Sequence, residues 1–585
     1  MHNMKRAFFT FDLMFCFVAG FAQSATTPLQ RDTTIRKNIE VVKEYNPVIK
    51  EAGKISTMPE MKDIKTEKKQ MDISVWTTPY SIKPSTLPTL DFATVAKEPV
   101  QEYKERFARI GGGNYGSVLG ELYTPFIKTK RDALDLYVKH SSSFGKVKMT
   151  NKLYESLPSE IKSRATDTDT KAKLSYKHSF KNKELSSFVD GGYRFFKYYG
   201  YDSDMQRLAE NGVNVTENDS SKQSFTRLGA NVRFRSKNFI SRWRYDLQSN
   251  YQLFGNKDDL KEHTIHTLLN VGYRFDNSSL HLGFDMHNII MNLPESNDRY
   301  HFERGETLNN YTVLKLNPKY YFSGEIGEIT VGVKGSFSIN QGKKGAVTPD
   351  VYGKVRLIKD ILYVYAGVTG DYTVNNYQEV TKINPYISSD TRIEDTYTPI
   401  DAYVGLTLRV ARRVDMDLHT GYKLIENPYF FVNRCDSAGN SKNTFDVVYD
   451  KKAGVFNAGF NMAYDWTTRL KLRFGGEFNK WALNDIEEAW HKPKWVMNLD
   501  GSYLVTNHLR LHLGYLLDAG KHALAQGNDV KLKNAHNLYF GANYQLLKWL
   551  DVFVNLDNVV NQEYAGWYGY TQHQFNLMGG VSMVF

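Results

Sequence analysis

The stretch ITVGVKGSFSI, residues 329–339, shows the pattern on which the fold prediction depends. Its apolar side chains are separated by small or polar ones and belong to Ile329, Val331, Val333, Phe337 and Ile339. Because successive side chains of a β-strand point to opposite faces, this spacing predicts a strand with one apolar face. Similar runs occur at 470–478, 509–517 and 550–557. Each has about ten residues, the length that a tilted strand needs to cross a bilayer.

The connections between these runs alternate between short and long. Short ones fall at 275–279, 322–325, 358–361, 411–413, 466–469, 506–508 and 547–549, and long polar ones at 292–307, 375–396, 426–450, 484–491 and 518–530. Outer-membrane barrels have tight turns at one end and longer loops at the other, whereas a soluble sandwich has no reason to separate them. The sequence therefore predicts an all-β fold, a transmembrane antiparallel β-barrel, with a soluble β-array as the alternative.

The composition excludes several other classes. The 585 residues are 41% hydrophobic and 14% aromatic, and the mean hydropathy is −0.49. This average is too polar for a bundle of membrane helices, while the hydrophobic content argues against long disorder. The net charge of +11 comes from 75 basic and 64 acidic residues that are interleaved along the chain. We assign that charge to the lumen and loops, and we predict no nucleic-acid partner.

The strand number follows from counting back from the C-terminus, which gives about 21 segments, the earliest near 114–126. Bacterial single-chain barrels have even strand numbers, so we predict one more strand near 103–110, with a turn at Gly111, Gly112 and Gly113. The prediction is about 22 strands over residues 103–585, with about 20 as the alternative.

Arginines inside the predicted strands indicate which face of each strand points to the lumen and which points to lipid. They are Arg233, Arg235, Arg274, Arg409, Arg473 and Arg510. Since an arginine that faces lipid near the midplane costs about 2–4 kcal/mol, we expect all of them to point into the lumen.

The first 102 residues divide into two predicted segments. Residues 1–22 are typical of a secretory signal, with a basic start, an apolar stretch and the small-residue pattern Gly20-Phe21-Ala22. Cleavage removes Cys16 and leaves Cys435, so we expect no internal disulfide. Residues 23–102 are rich in charge and proline and lack apolar periodicity. This composition predicts an extended periplasmic or lumenal arm.

The end of the chain resembles a known family. LDNVVNQEY at 556–564 and WYGY at 567–570, followed by a final strand that ends in Phe585, resemble the closing segment of TonB-dependent outer-membrane receptors. The resemblance implies that Phe585 is the terminal aromatic signal read by the barrel-assembly machinery. The arm segment VVKEYNPVI at 41–49 is similar to the start of a receptor-like barrel group in Bacteroidota.

The arm departs from the full pattern of that family. Residues 23–102 are too few for a complete plug domain and TonB box, so the resemblance implies a reduced plug. Ile39, Glu40, Val41 and Val42 form a short β-prone stretch that could add to the sheet edge of a partner, as a TonB box does. TonB, or another periplasmic or surface protein, is therefore a candidate partner.

The search for catalytic patterns finds no GxSxG, Walker A or HExxH sequence. Gly111, Gly113 and Gly116 match GxGxxG, but no helical pattern follows them, and we interpret them as part of a turn. His263 and His266 are three residues apart, a spacing that places two strand residues on opposite faces. We predict no catalytic residue, no metal site, no cofactor and no enzyme activity.

Two groups of residues near strand ends have alternative interpretations. The acidic group, which we interpret as a solvated loop rather than a calcium site because dense DxDxD spacing is lacking, is Asp371, Asp390, Glu394 and Asp395. The aromatic group, which we interpret as membrane-interface anchors with sugar stacking as the alternative, is Trp549, Trp567, Tyr568 and Tyr570.

Together these patterns predict a protein of the outer membrane of a Gram-negative bacterium, embedded in outer-membrane lipid, that takes up or passes a solute. A lumen of about 22 strands is too wide to stay open, so we expect the arm and inward-folded loops to occlude it. The alternative is a non-transporting scaffold for a surface or periplasmic complex, and an enzyme is the third hypothesis.

Overall fold

A computed structural model describes residues 106–154, 161–202, 222–237, 241–293, 310–410, 413–437 and 439–585 of the protein. No helix in these ranges is long and apolar enough to span a membrane. The predicted signal at 1–22, the arm at 23–102 and the stretch Ile39, Glu40, Val41 and Val42 lie outside the described residues.

The regular structure of the described residues is almost entirely β. The strands in chain order are β1 (Phe107–Gly113), β2 (Ser117–Lys128), β3 (Asp132–Ser143), β4 (Lys146–Met149), β5 (Ile161–Arg164), β6 (Asp167–Ser179), β7 (Lys183–Lys197), β8 (Lys222–Ser236), β9 (Trp243–Asn256), β10 (Lys261–Arg274), β11 (Ser278–Asn292), β12 (Tyr311–Ser323), β13 (Gly327–Ile339), β14 (Gly345–Ile358), β15 (Leu362–Thr373), β16 (Thr396–Val410), β17 (Val414–Glu426), β18 (Tyr429–Cys435), β19 (Ser441–Tyr449), β20 (Lys452–Asp465), β21 (Leu470–Ala482), β22 (Trp495–Leu504), β23 (Leu509–Ala519), β24 (His522–Ala525), β25 (Asn528–Lys531), β26 (Ala535–Leu547), β27 (Leu550–Asp557), β28 (Ala565–Trp567), β29 (Tyr570–Thr571) and β30 (Asn576–Val584). A short helix, α1 (Tyr377–Ile383), and a 3₁₀ turn at Asn114–Gly116 complete the described elements.

A 22-stranded antiparallel sheet forms the wall of the molecule. Each of its strands pairs with the next along the chain, and β1 closes the ring by pairing with both β2 and β30. The other strands form hairpins within the connections, namely β4–β5, β18–β19, β24–β25 and β28–β29. The predicted fold class and strand number are therefore confirmed, and the additional strand expected near 103–110 is β1.

The predicted turn at Gly111, Gly112 and Gly113 is wrong. All three glycines lie in β1, and the chain reverses at Asn114–Gly116. There Tyr115 and Gly116 carry the positive φ angles, 57° and 60°. The reversal thus takes its left-handed backbone from residues just after the glycine run.

The glycines instead allow close packing at the seam where β1 meets β30. Gly111 pairs with Gly580 across this seam, and a Cβ built on Gly580 would lie 2.2 Å from the carbonyl oxygen of Ile110. The ring of Phe553 on β27 lies against both glycines, since added Cβ atoms would approach its Cζ to 2.9 Å at Gly111 and 2.7 Å at Gly580. Phe553 is buried and covers the seam on the lumen side.

The wall has an apolar outer face and a polar inner face. On β13, the outward side chains of Ile329, Val331 and Phe337 are 46%, 49% and 54% exposed, which is the surface that lipid covers in a membrane barrel. The arginines of β8 lie on the opposite face, where Arg233 pairs with Asp246 and Arg235 pairs with Glu184. Their inward direction is as predicted, and their charge is balanced by carboxylates of neighbouring strands.

The long connections all leave the same end of the barrel. They follow β3, β7, β11, β15, β17, β21, β23 and β27, which run in one direction along the antiparallel wall. The opposite end has short turns and holds both ends of the described barrel, where the backbone N–H of Phe585 donates to the carbonyl of Arg106 at 3.0 Å. The predicted separation of short and long connections is confirmed.

Candidate functional site

The described parts of the long connections pack into one structure, which we call the cap. It comprises residues 144–154, 161–166, 198–202, 374–395, 427–437, 439–451, 483–494, 520–534 and 558–575. Its interior is apolar and aromatic, and Tyr377, Phe431, Phe445 and Tyr570 are each no more than 1% exposed. Buried aromatic residues on this scale give the cap a core of its own.

This core crosses the mouth of the barrel. Tyr377 and Ile387 from the β15–β16 connection pack in one cluster with Phe225 on β8 and Phe254 on β9. Five strands of the wall, β10 to β14, separate β9 from β15. The β15–β16 connection therefore extends over the lumen to reach the far strands.

Three connections meet at stacked tyrosine rings in the middle of the cap. The rings of Tyr386 and Tyr570 are nearly parallel, at 16°, with centroids 3.6 Å apart. Tyr199 meets both rings edge-on, at 6.1 and 5.0 Å. Burial raises the pKa of Tyr386 and of Tyr570 well above the ordinary value, so both phenols are neutral.

His491 joins two other parts of the cap through its two ring nitrogens. Its Nδ1–H donates to the carbonyl of Phe431 at 2.9 Å, and its Nε2 accepts from the backbone N–H of Tyr568 at 3.2 Å. Because a carbonyl only accepts and an amide only donates, the ring is neutral with its proton on Nδ1. Burial lowers the pKa of His491 to about 3, in agreement with this assignment.

Helix α1 is fixed to strand β10 of the wall by a buried carboxyl group. The side chain of Asn376 caps the helix by accepting from the backbone N–H of Glu379 at 2.9 Å. The backbone N–H groups of Tyr377 and Gln378 donate to Glu262 on β10 at 2.8 and 3.3 Å. The first turn of the helix thus receives acceptors from its own cap and from the barrel wall.

The acidic residues predicted in this connection have protein partners. Asp390 pairs with Arg434 of β18, with Nη2 and Oδ2 2.9 Å apart. Asp395 accepts from Tyr311 and Tyr372 at 3.1 and 3.0 Å, and burial raises its pKa. The other two acids pair within 3.4 Å of basic groups, Asp371 with Lys315 and Glu394 with Arg392. These contacts tie the cap together and differ from the shared oxygen shell of a calcium site.

Arg194 and Arg227 lie on the inner wall, next to the aromatic core of the cap. Arg194 on β7 makes a bidentate pair with Asp167 on β6, with contacts of 3.0 and 2.7 Å. Arg227 on β8 lies next to Phe225 and Phe254, with its guanidinium carbon 5.9 and 6.0 Å from the two ring centroids. Its Nε and Nη2 are buried and have no hydrogen-bond partner among the described residues. Unused donors on a fixed planar cation can bind a carboxylate or phosphate oxygen.

A second polar cluster lies on the inner faces of β10 and β11. The cluster consists of His266, Asp285 and His287. Among the described residues, these are the His, Cys, Asp and Glu side chains that come together in a group of three close enough to share a metal ion. His263, which the sequence pairs with His266 by spacing, lies elsewhere and contacts Tyr251 at 2.8 Å. The cluster depends on the register between two strands, so the spacing within one strand does not reveal it.

The predicted aromatic residues lie in two different places. Trp549 follows β26 at the short-turn end and is 51% exposed, whereas Tyr568 and Tyr570 are 7% and 0% exposed inside the cap. Trp567 is also in the cap, edge-on to Phe431 with centroids 5.1 Å apart. Residues of other connections cover the rings of Tyr568 and Tyr570, so neither ring has a face open to lipid or to a sugar. Phe585 is exposed at the end of the last strand.

No protein-family model and no curated protein matches this sequence. Solved structures do match the fold. The siderophore receptor PirA from Acinetobacter baumannii has a TM-score of 0.60 at 9% identity, over 83% of this chain and 81% of that one. The copper transporter OprC has a TM-score of 0.58 at 11% identity, over 83% and 82%. The ferric-catecholate import receptor Fiu from K12 E. coli has 0.58 at 10% identity, over 82% of each chain. The chain therefore has the barrel fold of these receptors.

Proposed function

We propose that this protein is an outer-membrane receptor of Gram-negative bacteria that takes up a solute bound beneath the cap. The observation that carries this proposal is a closed 22-stranded wall with an apolar outer face, a polar lumen and connections that cross one mouth. Such a barrel places a wide aqueous path across a bilayer and controls access to it from one side. The names of the matching structures, which are receptors and transporters, support the same role.

The inner wall beneath the cap favours a solute with an anionic group. Arg227 offers unused donors there, and Arg194 adds a second guanidinium on the adjacent strand, already paired with Asp167. Because the cap and the aromatic rings around Arg227 restrict water, an anion bound there is attracted more strongly than at an open surface.

The remaining assignments concern the N-terminal segments and the last residue of the chain. Residues 1–22 act as the export signal, and residues 23–102 form a reduced plug that occludes the lumen of the barrel at 103–585. Ile39, Glu40, Val41 and Val42 provide a strand for TonB or another periplasmic partner. Phe585 provides the assembly signal, and no residue is assigned a catalytic role.

A conductance experiment tests the proposal. The mature chain is compared in planar bilayers with a variant that lacks 23–102 and with that variant carrying Tyr386→Ala and Tyr570→Ala, which removes the stacked rings of the cap. We expect the intact chain to be closed, deletion of the arm to raise the conductance, and loosening of the cap to raise it further. Arg227→Gln in the open variant should reduce anion preference, measured as the reversal potential in a salt gradient.

The packed core of the cap supports a second candidate function, a scaffold that presents a fixed outer surface to a partner protein. This function predicts that no variant conducts although each remains folded, as judged by heat-dependent mobility on a denaturing gel. It also predicts that the intact chain purifies with a stoichiometric partner. That pair of results would overturn the uptake proposal.

A further inference from the structure

The cluster on the inner faces of β10 and β11 is built by strand register. His266 and His287 are direct cross-strand partners, and their rings stack at 18° with centroids 3.9 Å apart. Asp285 lies two residues before His287 and therefore on the same face. Its Oδ1 is 2.8 Å from Nε2 of His266 and 3.2 Å from Nε2 of His287.

These three side chains present a suitable donor set for a metal. Two imidazole nitrogens and one carboxylate oxygen lie within 4.8 Å of one another. Zinc bonds to such atoms at about 2.0–2.2 Å, so donor atoms that lie 2.8 and 3.2 Å apart are close enough to contact one ion. Imidazole with carboxylate suits the late divalent metals of the first transition row rather than calcium or magnesium.

We propose that His266, Asp285 and His287 form a metal-binding site in the inner wall of the barrel. The site binds a divalent late transition metal such as Zn²⁺ or Cu²⁺. The side chains are 29%, 26% and 18% exposed, in that order. The site is therefore open to the lumen, and water completes the coordination of the ion. This inference is independent of the proposed uptake function.

The neighbouring strand adds a charge that tunes the site. Lys315 on β12 is the register partner of Asp285, and its ammonium pairs with Asp371 at 3.4 Å. A cation at this position opposes the binding of a second cation. Removing it by Lys315→Met is expected to tighten metal binding.

The experiment measures Zn²⁺ binding by calorimetry to the full mature chain in detergent, purified without a histidine tag. We expect one saturable equivalent for the wild type and at least about tenfold weaker binding for His287→Ala and Asp285→Asn. The matched control is His419→Ala. His419 also faces the lumen and contacts a carboxylate, Asp417, at 3.1 Å, but among the described residues it is not part of a group of three potential metal ligands. Binding by this variant should equal that of the wild type.

A spectroscopic signature separates ligation from an indirect effect on folding. Electron paramagnetic resonance of the Cu²⁺-loaded protein should show coupling to two imidazole nitrogens in the wild type and to one in His287→Ala. Each variant is first shown to keep heat-dependent mobility on a denaturing gel. Saturable binding that survives unchanged in the double variant His266→Ala with His287→Ala would overturn the proposal, as would a folded wild type that binds no Zn²⁺.

Discussion

The seam between β1 and β30 allows a quantitative test of how the barrel closes. In Gly580→Ala the new Cβ would lie 2.2 Å from the carbonyl oxygen of Ile110, whereas ordinary contacts begin at 3.4 Å. The obstacle is backbone, so the strands themselves must separate by about 1 Å, which stretches neighbouring N–H···O bonds from about 2.9 Å to about 3.9 Å and breaks them. Two lost bonds at roughly 0.5–1.5 kcal/mol each give a destabilisation of about 1–3 kcal/mol.

The assay is equilibrium unfolding in urea of the barrel refolded into detergent micelles, followed by heat-dependent gel mobility. With a slope near 2 kcal/mol per molar, Gly580→Ala should lower the urea midpoint by roughly 1 M. The matched control is Gly335→Ala on β13, where an added Cβ has no atom within 4 Å, and which should be neutral or stabilising by up to about 1 kcal/mol. Adding Phe553→Leu should not rescue Gly580→Ala, because the closest contact is backbone. Equal midpoints for the two alanine variants would refute the reasoning.

Two further predictions concern the cap and the lipid face. The pKa of His491 is lowered to about 3, so at pH values below the unfolded pKa near 6.5 the unfolded state binds more protons than the folded state. The stability of the cap should therefore fall with falling pH by about 1.4 kcal/mol per pH unit. Proteolysis of the cap between pH 7 and pH 4 measures this slope, and a slope that persists in His491→Phe would contradict the assignment. Val331→Arg places a charge on the outward face of β13 and should destabilise the barrel in lipid bilayers by about 2–4 kcal/mol. Ser336→Arg, on the inward face of the same strand, should not. Equal losses in the free energy of unfolding, measured in urea, would reverse the assignment of the two faces.

The wall of the barrel could be predicted because its signal is local. The alternation at Ile329, Val331 and Val333 reports the direction of each side chain without reference to any other strand, and the lengths of the connections report which end they occupy. The sequence predicts the wrong position for the turn after β1 for the opposite reason. Gly111 is required by its neighbour Gly580, which lies at the other end of the chain and becomes a neighbour when the ring closes.

The cap and the metal-ligand cluster depend on contacts that no local pattern contains. Tyr386 and Tyr570 stack although they belong to connections far apart in the sequence, and His266 meets His287 through the register of two strands. In the sequence, Tyr568 and Tyr570 match the pattern of interface aromatics near a strand end. In the structure they are buried, because the connections pack against each other.

The attachment of the cap to opposite parts of the wall has a mechanical consequence. Glu262 on β10 holds the helix that follows β15. Asn443 in the β18–β19 hairpin donates at 3.0 Å to the carbonyl of Tyr198, the cap residue that directly follows wall strand β7. A ring braced by such chords resists flattening into an ellipse, whereas an unbraced ring of the same size deforms easily under lateral pressure. The mouth at this end should therefore keep a round cross-section in bilayers of different tension, while the end with short turns is free to change shape.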